Sequence, residues 1–279
     1  MGAEQGTSTN QSVERAAAVL AAFHDGRPLR VADVSSRAGL GQSTTSRMLA
    51  TLESLEYVER DADSGLYRLG TGLITLAGSA LNQHPVYRAS RRHAQEAAAQ
   101  LGLGVNVSVL HRGTVFYLAN YEGALAPKSM TLAGQRNALH ATGMGKCLLV
   151  GTTRDQRRAM LPELPRFTGR TVGSHEGLDA QIELVVERGY ATEVEELALG
   201  RACVAAPIRD AAGEVVAAIS ISGALSAIDL DNREGELAGR VIETADEVST
   251  ALGYAGPTVH PHHAGQDTAP SRTSGGVAR

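Results

Sequence analysis

The chain has 279 residues, 43% of them hydrophobic and 20% charged, which is enough apolar material for about two ordinary domains. A net charge of −4 gives no argument for a nucleic-acid partner from overall charge, and no apolar run approaches the roughly 18 residues of a membrane helix. Two cysteines, Cys147 and Cys203, exclude a disulfide framework and a four-thiolate zinc site. With no basic-then-apolar leader at the N-terminus, the expected location is the cytoplasm, with no membrane partner.

Residues 1–9 and 255–279 read as tails, too poor in apolar side chains to offset the entropy of ordering. His260, His262 and His263 in the second read as solvated rather than as metal ligands, because no further ligand is fixed nearby. No metal or other cofactor is expected.

From Asn10 the apolar positions Val13, Ala16, Ala17, Leu20 and Phe23 recur at helical spacing, with Asn10 or Ser12 as cap and Asp25-Gly26 as stop. A short helix over 31–38 follows, stopped by Gly39. A third, over 42–55, turns Thr45, Met48, Leu49, Leu52 and Leu55 inward. Its opposite face carries Gln42, Ser43, Thr44, Ser46 and Arg47. These are short donors and acceptors beside one arginine able to grip a guanine edge or a phosphate. Two helices joined by Ala38-Gly39-Leu40-Gly41 make a helix-turn-helix pattern. Strands at 57–60 and 66–69 then form a hairpin that puts Arg60 and Arg68 within reach of flanking DNA backbone. Against this reading, residues 1–84 hold seven arginines, no lysine and nine acids, for a net charge of −2. Binding would have to come from local placement and from two or more linked copies.

Beyond Gly72 an Ala/Leu-rich helix runs to about Leu81, Pro85 breaks it, and a second helix spans 86–101. The remainder alternates candidate strands (105–110, 114–120, 129–132, 190–195, 202–209, 215–222) with helices at 144–150, 154–161, 178–188 and 231–252. Tight turns at Arg112-Gly113 and Ala211-Ala-Gly213 join neighbouring strands, so the expected class is α+β, an antiparallel sheet with helices packed on it. Three stretches carry chemistry. His140–Cys147 places two glycines at a helix start, where backbone N–H groups could approach a small anion. Its Gly-Met-Gly-Lys lacks the spacing of a nucleotide-binding phosphate loop. Cys203 lies on one strand, and Ser220 and Ser222 share a face of another. Cys147 and His140 read as structural. An enzyme would need an orienting base for Cys203, and neither a His–acid pair nor Gly-x-Ser-x-Gly is found.

With these stretches in view, residues 10–253 resemble the IclR family of bacterial transcriptional regulators. The resemblance is carried by Ser12-Val-Glu-Arg-Ala16, Gly39–Arg47, Leu52–Val58, Tyr67-Arg-Leu-Gly70, His140–Cys147, Arg188-Gly-Tyr190, Glu195-Glu196 and Leu199–Gly223. It implies a winged helix-turn-helix at 10–72, linker helices at 73–101 and a GAF-like effector-binding and oligomerising domain at 102–254. It implies dimers or tetramers on palindromic operators in double-stranded DNA. It also implies a pocket for a small carboxylate metabolite at Gly143, Met144, Glu193, Cys203, Ser220 and Ser222. That set has no Arg or Lys, so it suits a carboxylate held by neutral donors, with a ligand hydroxyl or amine given to Glu193. Where members often carry Asp, Glu193 is one methylene longer. The expected function is a ligand-responsive regulator, most simply a repressor of a catabolic or metabolic operon. The competing reading is a metabolite sensor that binds no DNA.

Overall fold

A computed structural model describes residues 10–126 and 131–256. The histidines of the C-terminal tail and part of the strand expected at 129–132 lie outside the described residues. The chain divides into two compact units between Gln83 and His84, inside the stretch expected to form linker helices.

In the first unit, α1 (Gln11–Ala21) is capped by Asn10, whose side-chain oxygen accepts from the Ser12 N–H. Its buried face is Val19, continued past the helix by Ala22 and Phe23, whereas Val13 is exposed. A run of consecutive alanines fits several helical faces equally, and the largest nearby side chains settled which one turned inward. Helix α2 (Val31–Ala38) ends at Gly39, whose φ of +65° is readily adopted by glycine. Helix α3 (Gln42–Ser54) starts at Gly41 and buries Thr45, Leu49 and Leu52. Leu55 lies past its end and is exposed, against expectation. Strands β1 (Val58–Arg60) and β2 (Tyr67–Leu69) pair antiparallel, and Leu29 bridges to Tyr67 on the other side. Val19, Phe23, Val34, Leu49, Leu52, Val58 and Tyr67 form one core, which is a winged helix-turn-helix. Helix α4 (Thr71–Gln83) closes this unit without a buried residue.

The second unit begins with α5 (Pro85–Leu101), which has proline in its first turn and ends at Gly102 with φ +70°. Then come β3 (Gly104–His111), β4 (Thr114–Glu122) and β5 (Arg136–Ala138). Helices α6 (Gly143–Leu148), α7 (Arg154–Met160) and α8 (His175–Arg188) precede β6 (Ala191–Val194), β7 (Arg201–Arg209) and β8 (Val215–Ala224). A short α9 (Leu225–Ile228) and a long α10 (Leu230–Ala251) finish the unit.

The strands make one antiparallel sheet in the order β5-β4-β3-β8-β7-β6. One face, with Val105, Val107, Val204, Ile208, Ile219 and Ile221, packs under α5 and α10. The other carries Ala205 and Ala218 beneath α6 and α8, which contribute Met144, Cys147, Leu148, Leu178 and Ile182. The result is an α+β fold with helices on both faces of an antiparallel sheet. An edge strand that the sequence pattern does not signal lies at Arg136–Ala138, whose backbone pairs with β4 although its side chains are only Arg, Asn and Ala; Thr131 and Leu132, the described part of the 129–132 stretch, belong to no strand.

Candidate DNA-reading surface and effector cavity

On α3, Gln42, Ser43, Ser46 and Arg47 are exposed and Thr44 is half-buried, while Thr45, Leu49 and Leu52 anchor the helix from below. No acid among the described residues pairs with Arg47. The guanidinium of Arg60 lies 5.6 Å from the ring centre of Tyr67, its direct partner across the hairpin. Arg68 sits directly opposite Glu59 and is paired with it at 3.0 Å. An exposed pair of this kind contributes only about 0–1 kcal/mol, so a phosphate could displace Glu59. Arg37, by contrast, is committed to the fold, bonding Asp25 at 3.0 Å and the Ala22 carbonyl at 2.8 Å.

The pairing of strands explains the second site. Register places Glu122, Gly104, Ser222, Cys203 and Glu193 in one row across β4, β3, β8, β7 and β6. The next row is Asn120, Asn106, Ser220, Ala205 and Ala191. The face that packs apolar side chains under α6 and α8 thus also carries a polar patch, and a cavity of about 290 Å³ opens over it. That volume lies at the small end of the range for metabolite sites, roughly 300–1,000 Å³. Met144, Glu193, Cys203, Ser220 and Ser222 all line it.

Asn106 donates from Nδ2 to Ser220 Oγ at 3.3 Å and to Ser222 Oγ at 3.0 Å, which leaves both hydroxyl protons free for a ligand. Glu193 Oε1 accepts from the backbone N–H groups of Glu196 (2.6 Å) and Leu197 (3.3 Å). The thiol of Cys203 donates to Glu193 Oε2 at 3.7 Å. Burial pushes the Glu193 carboxyl above its ordinary value, opposed by those two N–H bonds. The Cys203 thiol is pushed well up, first by burial and then by the charge of Glu193. It therefore stays a thiol at neutral pH, the reverse of what a nucleophilic cysteine needs.

Gly143 does not line the cavity. Its backbone N–H is directed at the Cys203 sulfur, and a Cβ there would sit 3.0 Å from that sulfur. Gly145 donates its N–H to Thr142 Oγ1 at 3.1 Å, and a Cβ on it would run into the Leu139 carbonyl. The two glycines thus serve close packing of α6 on β7 and on its own lead-in. The expectation of open N–H groups for an anion is corrected at Gly143. Cys147, on the buried face of α6, donates to the Ala205 carbonyl at 3.4 Å, and burial pushes its thiol up to about 12. His140 is buried, with Nε2–H donating to the Pro165 carbonyl at 2.9 Å. Both are structural, as expected.

The sequence reading missed Asn106, Tyr117, Asn137 and Arg201 in the lining. Arg201 could have been found from the strand period, since it stands two residues before Cys203 on the same face. Asn106 could not, because 114 residues separate it from Ser220.

The geometry of Glu193 carries a pH prediction. A raised carboxyl pKa means that ionised Glu193 costs stability, a cost that appears as pH climbs above the unfolded value of about 4.5 and is complete above the folded one. Glu193→Gln should therefore gain stability over wild type at pH 7, and the gain should vanish as pH falls toward 4. Urea midpoints at a series of pH values check this.

Residues 12–62 match the IclR helix-turn-helix domain and residues 78–250 match the C-terminal domain of bacterial transcriptional regulators of the IclR type. The chain belongs to the IclR family. The repressor AllR of Salmonella paratyphi A is 32% identical over 252 residues, covering 88% of this chain and 92% of AllR. The crystal structure of a transcriptional regulator from Rhodococcus sp. RHA1 superposes with a TM-score of 0.78 at 29% identity, over 88% of this chain and 98% of that one. An IclR homologue from Microbacterium hydrocarbonoxydans, solved with 4-hydroxybenzoate, gives 0.76 at 25% identity, over 86% and 98%. IclR proteins are DNA-binding transcriptional regulators, which agrees with the winged helix-turn-helix of the first unit. No described helix is long and apolar enough to cross a membrane.

Proposed function

We propose that this IclR protein is a cytoplasmic repressor of a catabolic or metabolic operon whose operator affinity is set by a small carboxylate metabolite. The observation that carries the reading is the cavity in which Met144, Glu193, Cys203, Ser220 and Ser222 converge over a buried polar patch. Such a patch costs stability unless something hydrogen-bonds to it, and two free hydroxyl protons remain there for a ligand. AllR is named a repressor, and the Microbacterium homologue was solved with a carboxylate, 4-hydroxybenzoate; both support the assignment. Gly143 acts by holding Cys203 rather than by touching the ligand.

DNA is read by Gln42, Ser43, Thr44, Ser46 and Arg47 in a major groove, with Arg60 and Arg68 on the flanking backbone. A reading head of net charge −2 needs a second, linked copy to bind well, so the operator is an imperfect palindrome and the protein a dimer or tetramer. Helix α4, with Ile74 72% and Leu76 52% exposed, supplies apolar surface that supports pairing.

Arg47→Ala tests the DNA half of the proposal. A lost base contact costs about 1–3 kcal/mol. Gel-shift titration on genomic fragments retained by the wild-type protein should therefore show affinity at least about tenfold weaker, with the circular dichroism spectrum unchanged. Unchanged affinity removes α3 as the reader. A wild-type protein that retains no fragment favours the alternative, a metabolite sensor that binds no DNA.

A further inference from the structure

The charged side chains lining the cavity are Glu122, Glu193 and Arg201, so Arg201 is its one cation among the described residues. Arg201 stands one pleat along β7 from Cys203 and faces the same way, roughly 7 Å along the strands from the row that holds Ser222 and Glu193. Its cross-strand partner is Ala224, which offers no polar group. The side chain is exposed at the mouth and makes no hydrogen bond or ion pair among the described residues. Glu122, the acid on the other rim, is in the Ser222 row but two strands beyond it, on the side away from β7, and does not neutralise Arg201. Arg201 is near enough to the buried phenol of Tyr117 to ease its ionisation, against a larger upward push from burial.

The floor has the opposite character. Glu193 places a carboxyl there, with Oε2 facing Cys203. Its ordinary hydrogen-bonding capacity is largely used by two N–H groups and the thiol. A ligand carboxylate on this floor would have to share it with the Glu193 carboxyl, and two such groups in a poorly screened site cannot both be ionised without a large cost. At the mouth it would meet an unpaired guanidinium, whose planar fork holds a carboxylate through two parallel N–H bonds.

We propose that Arg201 is the carboxylate anchor of the effector and sets its orientation, acid group at the mouth and a neutral hydroxyl or carbonyl on Ser220 and Ser222. The class selected is a hydroxy- or oxo-carboxylate whose two polar groups are several bonds apart. The middle of such a molecule lies against Met144, Leu132 and Leu197, which are lining residues of apolar character. This inference rests on the reading of the cavity as the effector site, and it reverses the orientation that neutral donors on the floor alone would suggest.

The test is calorimetric titration of the full-length protein with 3-hydroxybutyrate, 3-hydroxybenzoate and 4-hydroxyphenylacetate, each compared with its primary amide. Wild type should bind at least one acid, with the matching amide at least tenfold weaker. Arg201→Gln should weaken that acid at least tenfold and leave the amide where it was, so that the preference disappears. Arg201→Lys should restore part of it, because the charge returns without the fork. An acid preference that survives in Arg201→Gln overturns the inference and puts the carboxylate on the floor, with the effector site itself intact. Equal binding of acid and amide by wild type also overturns it. If none of the acids binds wild type, the carboxylate reading of the cavity fails, and this inference falls with it.

Discussion

Lys146→Met should be among the most destabilising single substitutions in the second unit, by about 3–5 kcal/mol. Lys146 is 1% exposed, although it is one of only two lysines in the chain. Its ammonium donates to Glu196 Oε1 and, at 3.5 Å, to the Thr192 carbonyl. Glu196 is itself buried, and its Oε2 has no hydrogen-bond partner. Removing the lysine would leave a carboxylate in a low-dielectric site with nothing to balance it, and that penalty exceeds what the pair contributes while intact. The damage would spread to the cavity. The Glu196 N–H holds Glu193 Oε1, the Glu196 carbonyl accepts from Thr171 Oγ1 at 2.6 Å, and the adjoining Leu197 and Ala198 line the cavity. The double change Lys146→Met with Glu196→Gln removes both charges and should recover most of the loss. Urea unfolding of the wild type, the two single variants and the double closes the cycle, and strong non-additivity is the expected result. Two additive losses would mean that the two side chains act independently.

The winged helix-turn-helix could be read from the sequence because its signals are local. Gly39 stops α2 where a left-handed residue is needed, and Thr45, Leu49 and Leu52 follow one another at spacings of about one helical turn. Arg68 shows where local reading stops short. The hairpin register puts it opposite Glu59, a pairing that depends on how the turn from Asp61 to Gly65 closes. In the second unit the same limit decides the cavity. Ser220, Ser222 and Cys203 could be placed on strands from their own neighbours, because alternation along a strand is local. That β3 would lie against β8, bringing Asn106 to both serines, is a matter of sheet order, which no short stretch encodes. The role of the glycines in α6 was misread for a related reason. Glycine at a helix start permits both an open N–H and a close neighbour, and only the position of Cys203 and Leu139 shows that the neighbour takes the space.

Ser220→Ala combined with Ser222→Ala should abolish the response to effector while ligand-free operator binding stays near wild type. The two hydroxyls are the floor groups with protons to give, since Asn106 already fills an acceptor position on each. Their loss would remove the ligand's polar contacts with the floor and also leave the Asn106 amide, 5% exposed, without its two acceptors. An orphaned buried donor costs about 1–3 kcal/mol, so the double variant should melt earlier, and comparisons belong well below its melting temperature. A ligand changes operator affinity only through unequal binding to two conformations of the protein, and a coupling of about 1–3 kcal/mol corresponds to a roughly 5- to 150-fold change. In the double variant that factor should fall to one. Adding Asn106→Ala removes the stranded donor, which should restore stability without restoring the response. This separates a lost contact from a loosened fold. A double variant that responds as wild type does would place the effector away from the Ser220–Ser222 floor, and the assignments of Met144, Glu193 and Cys203 would fall with it.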